Sequence, residues 1–222
     1  MGDMDKYLQP TEFFDFNKAK VKQKALEITK NYSSDKEKAI ALFYYVRDEV
    51  KYNMALFIPK IKQNFIASKV LRKRQGFCVS KSVLLSSLAR AVGIPSRLHL
   101  VDLINHLVSQ KVIDFMGHNI MYYHGYSEFY LAGEWVKLTP SFDKETALKG
   151  RFLPMVEFDG EHDAVFPSHD INGKPFGEYI KDRGVHADLP LDAIDSLFQE
   201  KYEIYRKYLN GFQKSKEYNN LI

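Results

Sequence analysis

The chain has 222 residues, of which 45% are hydrophobic and 27% charged, with 14 Tyr and 16 Phe to build a core, a composition that excludes intrinsic disorder. Its 32 basic residues exceed its 28 acidic ones by a formal +4, spread without a long basic block, so nothing argues for a nucleic-acid partner. No stretch approaches the ~18 uninterrupted apolar residues of a membrane helix. Residues 1–10 lack the apolar run of a signal peptide, and the one cysteine rules out an intrachain disulfide. The expectation is one cytoplasmic domain over residues 1–222 that needs no membrane and no cofactor, with its oligomeric state undetermined.

In chain order, Val21, Ala25 and Ile28 fall at helical spacing within 17–30. Ser34 followed by Glu37 reads as a capping box, and a second helix is expected from there, with Ala39, Phe43, Val46 and Val50 on one face and an end near Tyr52-Asn53. The stretch 53–65, interrupted by Pro59, reads as a loop, and Ser68 as the cap of a short helix through Arg74. Over 78–92 the apolar residues cover more than half the helical circumference, which marks a buried helix that Gly93 and Pro95 terminate. The run 97–101 alternates like a strand, and Ile120–Leu131 with Glu134–Leu138 read as a hairpin turning at Ala132-Gly133. Helices first and an antiparallel sheet afterwards is an α+β order. Residues 140–187, rich in Gly, Pro, Asp and His, read as long surface connections. The run 191–209 reads as one closing helix with Ile194, Phe198, Tyr202 and Tyr205 along one side.

Cys78 falls in the first turn of the buried helix, where free backbone amides and the helix dipole favour thiolate over thiol. A lone cysteine is ordinarily a small buried hydrophobe, and only its surroundings change that reading. Here Gly76-Phe77-Cys78 opens the helix and Gly93-Ile94-Pro95-Ser96-Arg97 follows it. Further on come His124-Gly125-Tyr126-Ser127-Glu128-Phe129-Tyr130 and Trp135-Val136-Lys137-Leu138. In that order these segments resemble the transglutaminase-like superfamily, whose pattern runs G-x-C, GIP-x-R and H-x-x-x-E-x-Y. Val46-Arg47-Asp48, Asn105-His106, Thr139-Pro140 and Phe158-Asp159-Gly160 resemble a bacterial branch of it described as putative cysteine proteases. The likeness runs from about Tyr7 to about Tyr202.

The resemblance implies a papain-like core: N-terminal helices, with the nucleophile helix packed on an antiparallel sheet that carries the base. Cys78 is then the nucleophile and His124 the base of a catalytic triad. The superfamily usually supplies the third member as aspartate in W-x-x-x-D-P, and this chain has Thr139 at that position. A threonine hydroxyl accepts the imidazole's hydrogen bond but brings no charge to stabilise imidazolium. Asp143, the nearest downstream carboxylate, stands level with Thr139 as the orienting candidate. Gln75, three residues before the nucleophile, is by chemistry alone a second oxyanion donor beside the Cys78 amide.

Other signals count for less. The basic run 69–74 reads as a solvated helix face. His162-Asp163 and His169-Asp170 match no zinc spacing and read as turn residues, so no metal is expected. The segment 102–118 is either a lid or ordinary packing. The expected function is a thiol-dependent amide-bond enzyme, a cysteine protease or amidase that acts on a peptide or protein through a thioester. The alternatives are a protein-glutamine transglutaminase and a catalytically silent binding module.

Overall fold

A computed structural model describes residues 4–210 and opens on two packed helices. α1 (Ala19–Thr29) buries Val21 and Ala25. The capping box before α2 (Asp35–Glu49) is present: Ser34 Oγ accepts the Glu37 N–H and Glu37 Oε2 accepts the Ser34 N–H, both at 3.2 Å. Ala39, Phe43 and Val46 then face the core as their spacing requires. The helix stops at Glu49, short of the expected end, because Lys51–Tyr52 leaves it as β1. This strand pairs in parallel with β2 (Gln75–Gly76), Tyr52 opposite Gly76. Between them, α3 (Ala67–Lys73) has Ile66 and not Ser68 at its cap. Ser68 sits inside the first turn, giving its backbone N–H (2.8 Å) and hydroxyl (2.5 Å) to the Asp15 carboxylate.

α4 (Cys78–Ala91) is enclosed on every side. Val79, Val83, Leu84, Leu85 and Leu88 are inaccessible, but so are Ser80, Lys81, Ser82, Ser86 and Ser87. Polar side chains survive such burial when they find partners. Ser87 Oγ donates to Val83 O (2.7 Å), and Lys81 Nζ donates to Arg47 O (3.1 Å) and Val50 O (2.5 Å), closing the C-terminal end of α2. The Arg90 guanidinium gathers carbonyls of Gln9, Ser96 and Ala187, tying the N-terminal segment, the start of β3 and the stretch after β6 to the helix.

The helix lies on a four-stranded antiparallel sheet built from β3 (Ser96–Asn105), β4 (Ile120–Leu131), β5 (Glu134–Leu138) and β6 (Gly177–His186), in the order β5-β4-β3-β6. Ala132 (φ 50°) and Gly133 (φ 95°) make the expected tight turn, both in the left-handed region that a two-residue hairpin of this hand needs. β3 outruns its expected length by passing through an irregularity between Val101 and Leu103. There the Asp102 carboxylate accepts from Tyr123 N (3.2 Å) and from Arg183 (3.0 and 2.6 Å). Helices followed by one antiparallel sheet make the chain α+β.

Three segments differ from their sequence reading. α5 (Gln110–Met116), capped by Ser109, forms between β3 and β4. The supposed surface connection 140–187 contains α6 (Lys144–Gly150) and the whole of β6. β6 is an edge strand with Glu178 through Asp182 exposed, so it lacks the apolar alternation by which a strand is read. The closing helix is two helices, α7 (Leu191–Lys201) and α8 (Glu203–Leu209), broken at Tyr202 (φ −107°, ψ 106°). The break has a tertiary cause: the Tyr202 hydroxyl donates to Ile120 O and accepts from Tyr122 N–H, each at 3.1 Å. Ile194, Phe198, Tyr202 and Tyr205 are all buried, as expected of one face. No helix among the described residues is long and apolar enough to cross a membrane.

Candidate active site

The N-terminal end of α4 meets β4 at a position where the sheet has no side chain. A Cβ on Gly125 would stand 3.1 Å from both Cα and Cγ2 of Val79, so glycine is what lets the helix approach. Gly76 serves the same end on the other side, since a Cβ there would stand 2.7 Å from Ser80 Oγ. Ser80 Oγ accepts the Phe77 N–H (2.9 Å), and the Phe77 ring stacks on Phe57 (4.3 Å), which fixes the turn that presents Cys78.

A cleft of about 420 Å³ opens beside this junction. Cys78, His124 and Asp143 all line it, among mostly apolar neighbours that include Phe57, Phe142, Phe152 and Phe166. Val112, Phe115 and Met116 of α5 complete one wall, so the segment before β4 does border the cleft.

Cys78 is 5% exposed. Burial pushes its thiol up to about 11, opposed by the backbone N–H groups of Gly125, Val79 and Cys78 itself. His124 is 3% exposed, and burial alone takes its imidazole down to about 3. Its Nε2 is buried with no hydrogen-bond partner, and its ring centroid lies 5.3 Å from that of Phe166. Burial thus favours thiol over thiolate at Cys78 and neutral imidazole over imidazolium at His124. Removal of the thiolate from water thus works against the low-pKa thiol expected from the helix end, while the helix-end amides work for it.

Thr139 follows β5 directly. Its backbone N–H donates to Ala164 O (2.7 Å), and its Oγ1 is buried without a partner, as is Ser141 Oγ. The Tyr179 hydroxyl, which accepts from Phe166 N (3.2 Å), comes near Thr139 without closing a hydrogen bond to its Oγ1. The Tyr179 ring is 6.4 Å from that of His124. Unpartnered buried polar atoms are rare in folded proteins, and three of them fall on His124, on Thr139 after β5 and on Ser141 in the cleft wall.

Asp143 caps α6. Its carboxylate accepts from Thr146 N (3.1 Å), Thr146 Oγ1 (2.8 Å) and Tyr52 N (2.7 Å). Burial works to raise its pKa, but those donors hold it below the ordinary carboxylate value. Gln75 is exposed and outside the cleft lining, with its Oε1 accepting from Asn53 Nδ2 (3.1 Å). The structure thus brings Cys78, His124 and Asp143 to one cleft, sets Thr139 in a smaller cavity behind it with Phe142 and Phe166, and leaves Gln75 apart. His162 pairs with Asp159 (2.7 Å), and the Asp170 carboxylate accepts backbone N–H groups of Asn172 and Lys174, both turn contacts. Two cleft residues carried no sequence signal, Tyr52 and Tyr202. Each owes its place to a tertiary contact, the bridge from β1 to β2 and the pairing with residues 120–122.

The family model of the transglutaminase-like superfamily matches residues 22–140, more than half of the chain, and the chain belongs to that superfamily. The matched stretch takes in Cys78, His124 and Thr139 and ends before Asp143. Among solved structures, the chain is similar to a "Putative Cysteine Protease" from Cytophaga hutchinsonii, with a TM-score of 0.49 and 16% identity over 84% of this chain and 55% of that one. It is also similar to a "putative protease" from Parabacteroides distasonis, with a TM-score of 0.41 and 19% identity over 62% of this chain and 25% of that one. The chain thus spans about half the length of the first and a quarter of the second. No curated protein matches it.

Proposed function

We propose that the protein is a cysteine amide hydrolase, a protease or amidase, in which the Cys78 sulfur attacks the carbonyl carbon of a peptide or protein amide. As the S–C bond forms, the thiol proton passes to His124, which then gives it to the departing amine. Water, deprotonated by the same imidazole, releases the thioester as free acid. The observation that carries this reading is that Cys78 and His124 line one cleft, with the thiol against the backbone N–H groups of Cys78, Val79 and Gly125.

Because burial keeps both groups neutral, proton transfer accompanies attack rather than preceding it. The charges appear together, imidazolium on one side and oxyanion on the other, and the first-turn amides of α4 stabilise the oxyanion. Thr139 is the residue proposed to hold the imidazole. Its hydroxyl is free to accept from Nε2, and its lack of charge leaves the imidazolium less stabilised than a carboxylate would.

Hydrolysis is favoured over transfer because water is the abundant acceptor in a cleft open to solvent. The test supplies glutamine-containing and other amide peptides together with a fluorescent primary amine. Free acid that disappears in Cys78→Ala supports the hydrolase. Dominant amine incorporation at millimolar amine points to a transglutaminase. The unbonded Nε2 favours one further reading, a binding module that has kept the fold without the chemistry. No turnover on any peptide, together with no acyl adduct on Cys78 from an activated ester, would select it.

A further inference from the structure

Just before His124, β4 carries one residue more than the strand it pairs with. Val101 lies opposite His124 and Leu103 opposite Met121, so two steps along β3 match three along β4, and Asp102 alone stands against Tyr122 and Tyr123. This is a β-bulge. Residues directly opposite each other in a sheet share a face, so the extra residue puts Met121 and His124 on the same side although an odd number of positions separates them. Leu103, Met121 and His124 accordingly all line the cleft. In a regular β4, either Met121 or His124 would face the other side of the sheet.

The bulge is held from outside the strand. Tyr123 sits at φ 54°, in the left-handed region that a bulky residue adopts rarely and keeps only when its surroundings fix it. Both backbone N–H groups of the bulge go to side chains: that of Tyr122 to the Tyr202 hydroxyl (3.1 Å) and that of Tyr123 to the Asp102 carboxylate (3.2 Å). Asp102 is 2% exposed, and Arg183 of β6 closes on it with Nε to Oδ1 at 3.0 Å and Nη2 to Oδ2 at 2.6 Å. The Arg183 guanidinium carbon also lies 5.0 Å from the centroid of the Tyr123 ring. One buried ion pair therefore grips Tyr123 by its backbone and by its ring.

Resting on the hydrolase reading, we propose that Asp102 is a positioning residue for His124: its carboxylate, held by Arg183, keeps Tyr123 in the left-handed conformation that turns the imidazole into the cleft lined by Cys78. Asp102 acts through the direction of one neighbouring side chain, and a misplacement of about 1 Å at a reacting group costs ~10²-fold in rate.

The test reads acylation of Cys78 by the p-nitrophenyl ester of N-acetyl-phenylalanine, in which the S–C bond forms, the thiol proton passes to His124 and p-nitrophenolate leaves. The expected result is that Asp102→Ala slows acylation by ~10²-fold. The same change made in His124→Ala slows it by less than about twofold, because the group it acts through is gone. Asp102→Asn, which keeps an acceptor for the Tyr123 N–H and loses the charge facing Arg183, stays within about fivefold of the wild type. Adding Tyr123→Gly to Asp102→Ala, which gives the left-handed position to a residue that adopts it freely, recovers about tenfold. In two-dimensional NMR the His124 ring signals shift in Asp102→Ala, as the imidazole leaves the Phe166 ring, and return in the double variant. Wild-type acylation in Asp102→Ala overturns the positioning role, and so does an equal loss with and without His124. If Asp102→Ala does not fold, Asp102→Asn decides: a ~10²-fold loss there means that the charge and not the grip on Tyr123 matters, which overturns it. A wild-type protein that is not acylated, or is acylated equally well in His124→Ala, overturns the hydrolase; the positioning role is then read from the ring signals, which overturn it if they stay unmoved in Asp102→Ala.

Discussion

The hydroxyl of Ser82 lies 3.1 Å from the carbonyl oxygen of Gly125, the residue after His124, and 2.9 Å from the carbonyl of Cys78, one helical turn before it. One buried side chain thus links the helix that carries Cys78 to the strand that carries His124. Ser127 Oγ adds a second link by donating to Ser82 O (2.9 Å). Ser82→Ala leaves a buried carbonyl short of a donor, and the expected destabilisation is ~1–3 kcal/mol with a drop in kcat larger than any change in KM. Urea unfolding and steady-state kinetics on one preparation check both, and a fully stable, fully active variant removes the coupling.

Gly125→Ala is expected to do more damage. The new methyl stands 3.1 Å from the Val79 backbone, which cannot move aside as a flexible side chain can, so α4 must shift off β4. The expectation is ~1–3 kcal/mol lost in denaturant unfolding and little residual activity. Wild-type stability in this variant would mean that the helix does not sit this close to the strand.

The charge states give a pH signature for the thiol. With the thiol pushed up to about 11, its thiolate fraction lies below that of a free cysteine at every pH short of that value. The iodoacetamide rate of the free enzyme should climb through pH 9 and 10 without a plateau near neutrality, and His124→Ala should leave the profile unchanged. A plateau by pH 7 that vanishes in His124→Ala would restore a preformed ion pair.

The imidazole gives a stability signature. His124 falls from its ordinary 6.5 to about 3 in the folded state, so between those values the unfolded chain binds a proton that the folded one does not. Stability from this group is fully present above pH 6.5 and is lost as pH falls towards 3. His124→Gln should flatten that part of the stability curve in denaturant titrations at pH 4 and 7, and an unaltered slope would mean that the imidazole is solvated.

Thr139→Asp tests the third position. A carboxylate there raises the imidazole's pKa by attraction and stabilises imidazolium as it forms, so kcat/KM should rise by ~10-fold or more. The two-dimensional NMR signal of the His124 ring should move to a higher titration midpoint. No gain in rate, together with a large loss on Asp143→Ala, assigns the orienting role to Asp143.

What was legible in the sequence follows from where the determining forces act. The buried helix is written locally, in Leu84, Leu85 and Leu88 with Gly93 after them, and the β4-β5 turn in Ala132-Gly133. Superfamily membership was legible in the motifs around Cys78 and His124. β6 was not, because an edge strand whose Tyr179, Ile180 and Val185 are themselves exposed has no core face to mark it. The break at Tyr202 and the placement of Tyr52 were hidden as well, since hydrogen bonds to distant backbone decide them. The burial that opposes thiolate at Cys78 was hidden for a related reason: a helix start is visible in sequence, but the depth of burial around it is not.

Mixing the protein with the p-nitrophenyl ester of N-acetyl-phenylalanine, and following intact mass with time, tests the central claim that Cys78 and His124 perform acyl transfer to water. The account predicts an acyl adduct that maps to Cys78, forms and decays with release of N-acetyl-phenylalanine, is absent in Cys78→Ala, and both forms and decays more slowly in His124→Ala. An adduct elsewhere on the chain, or one on Cys78 whose formation and decay are the same with and without His124, would contradict it.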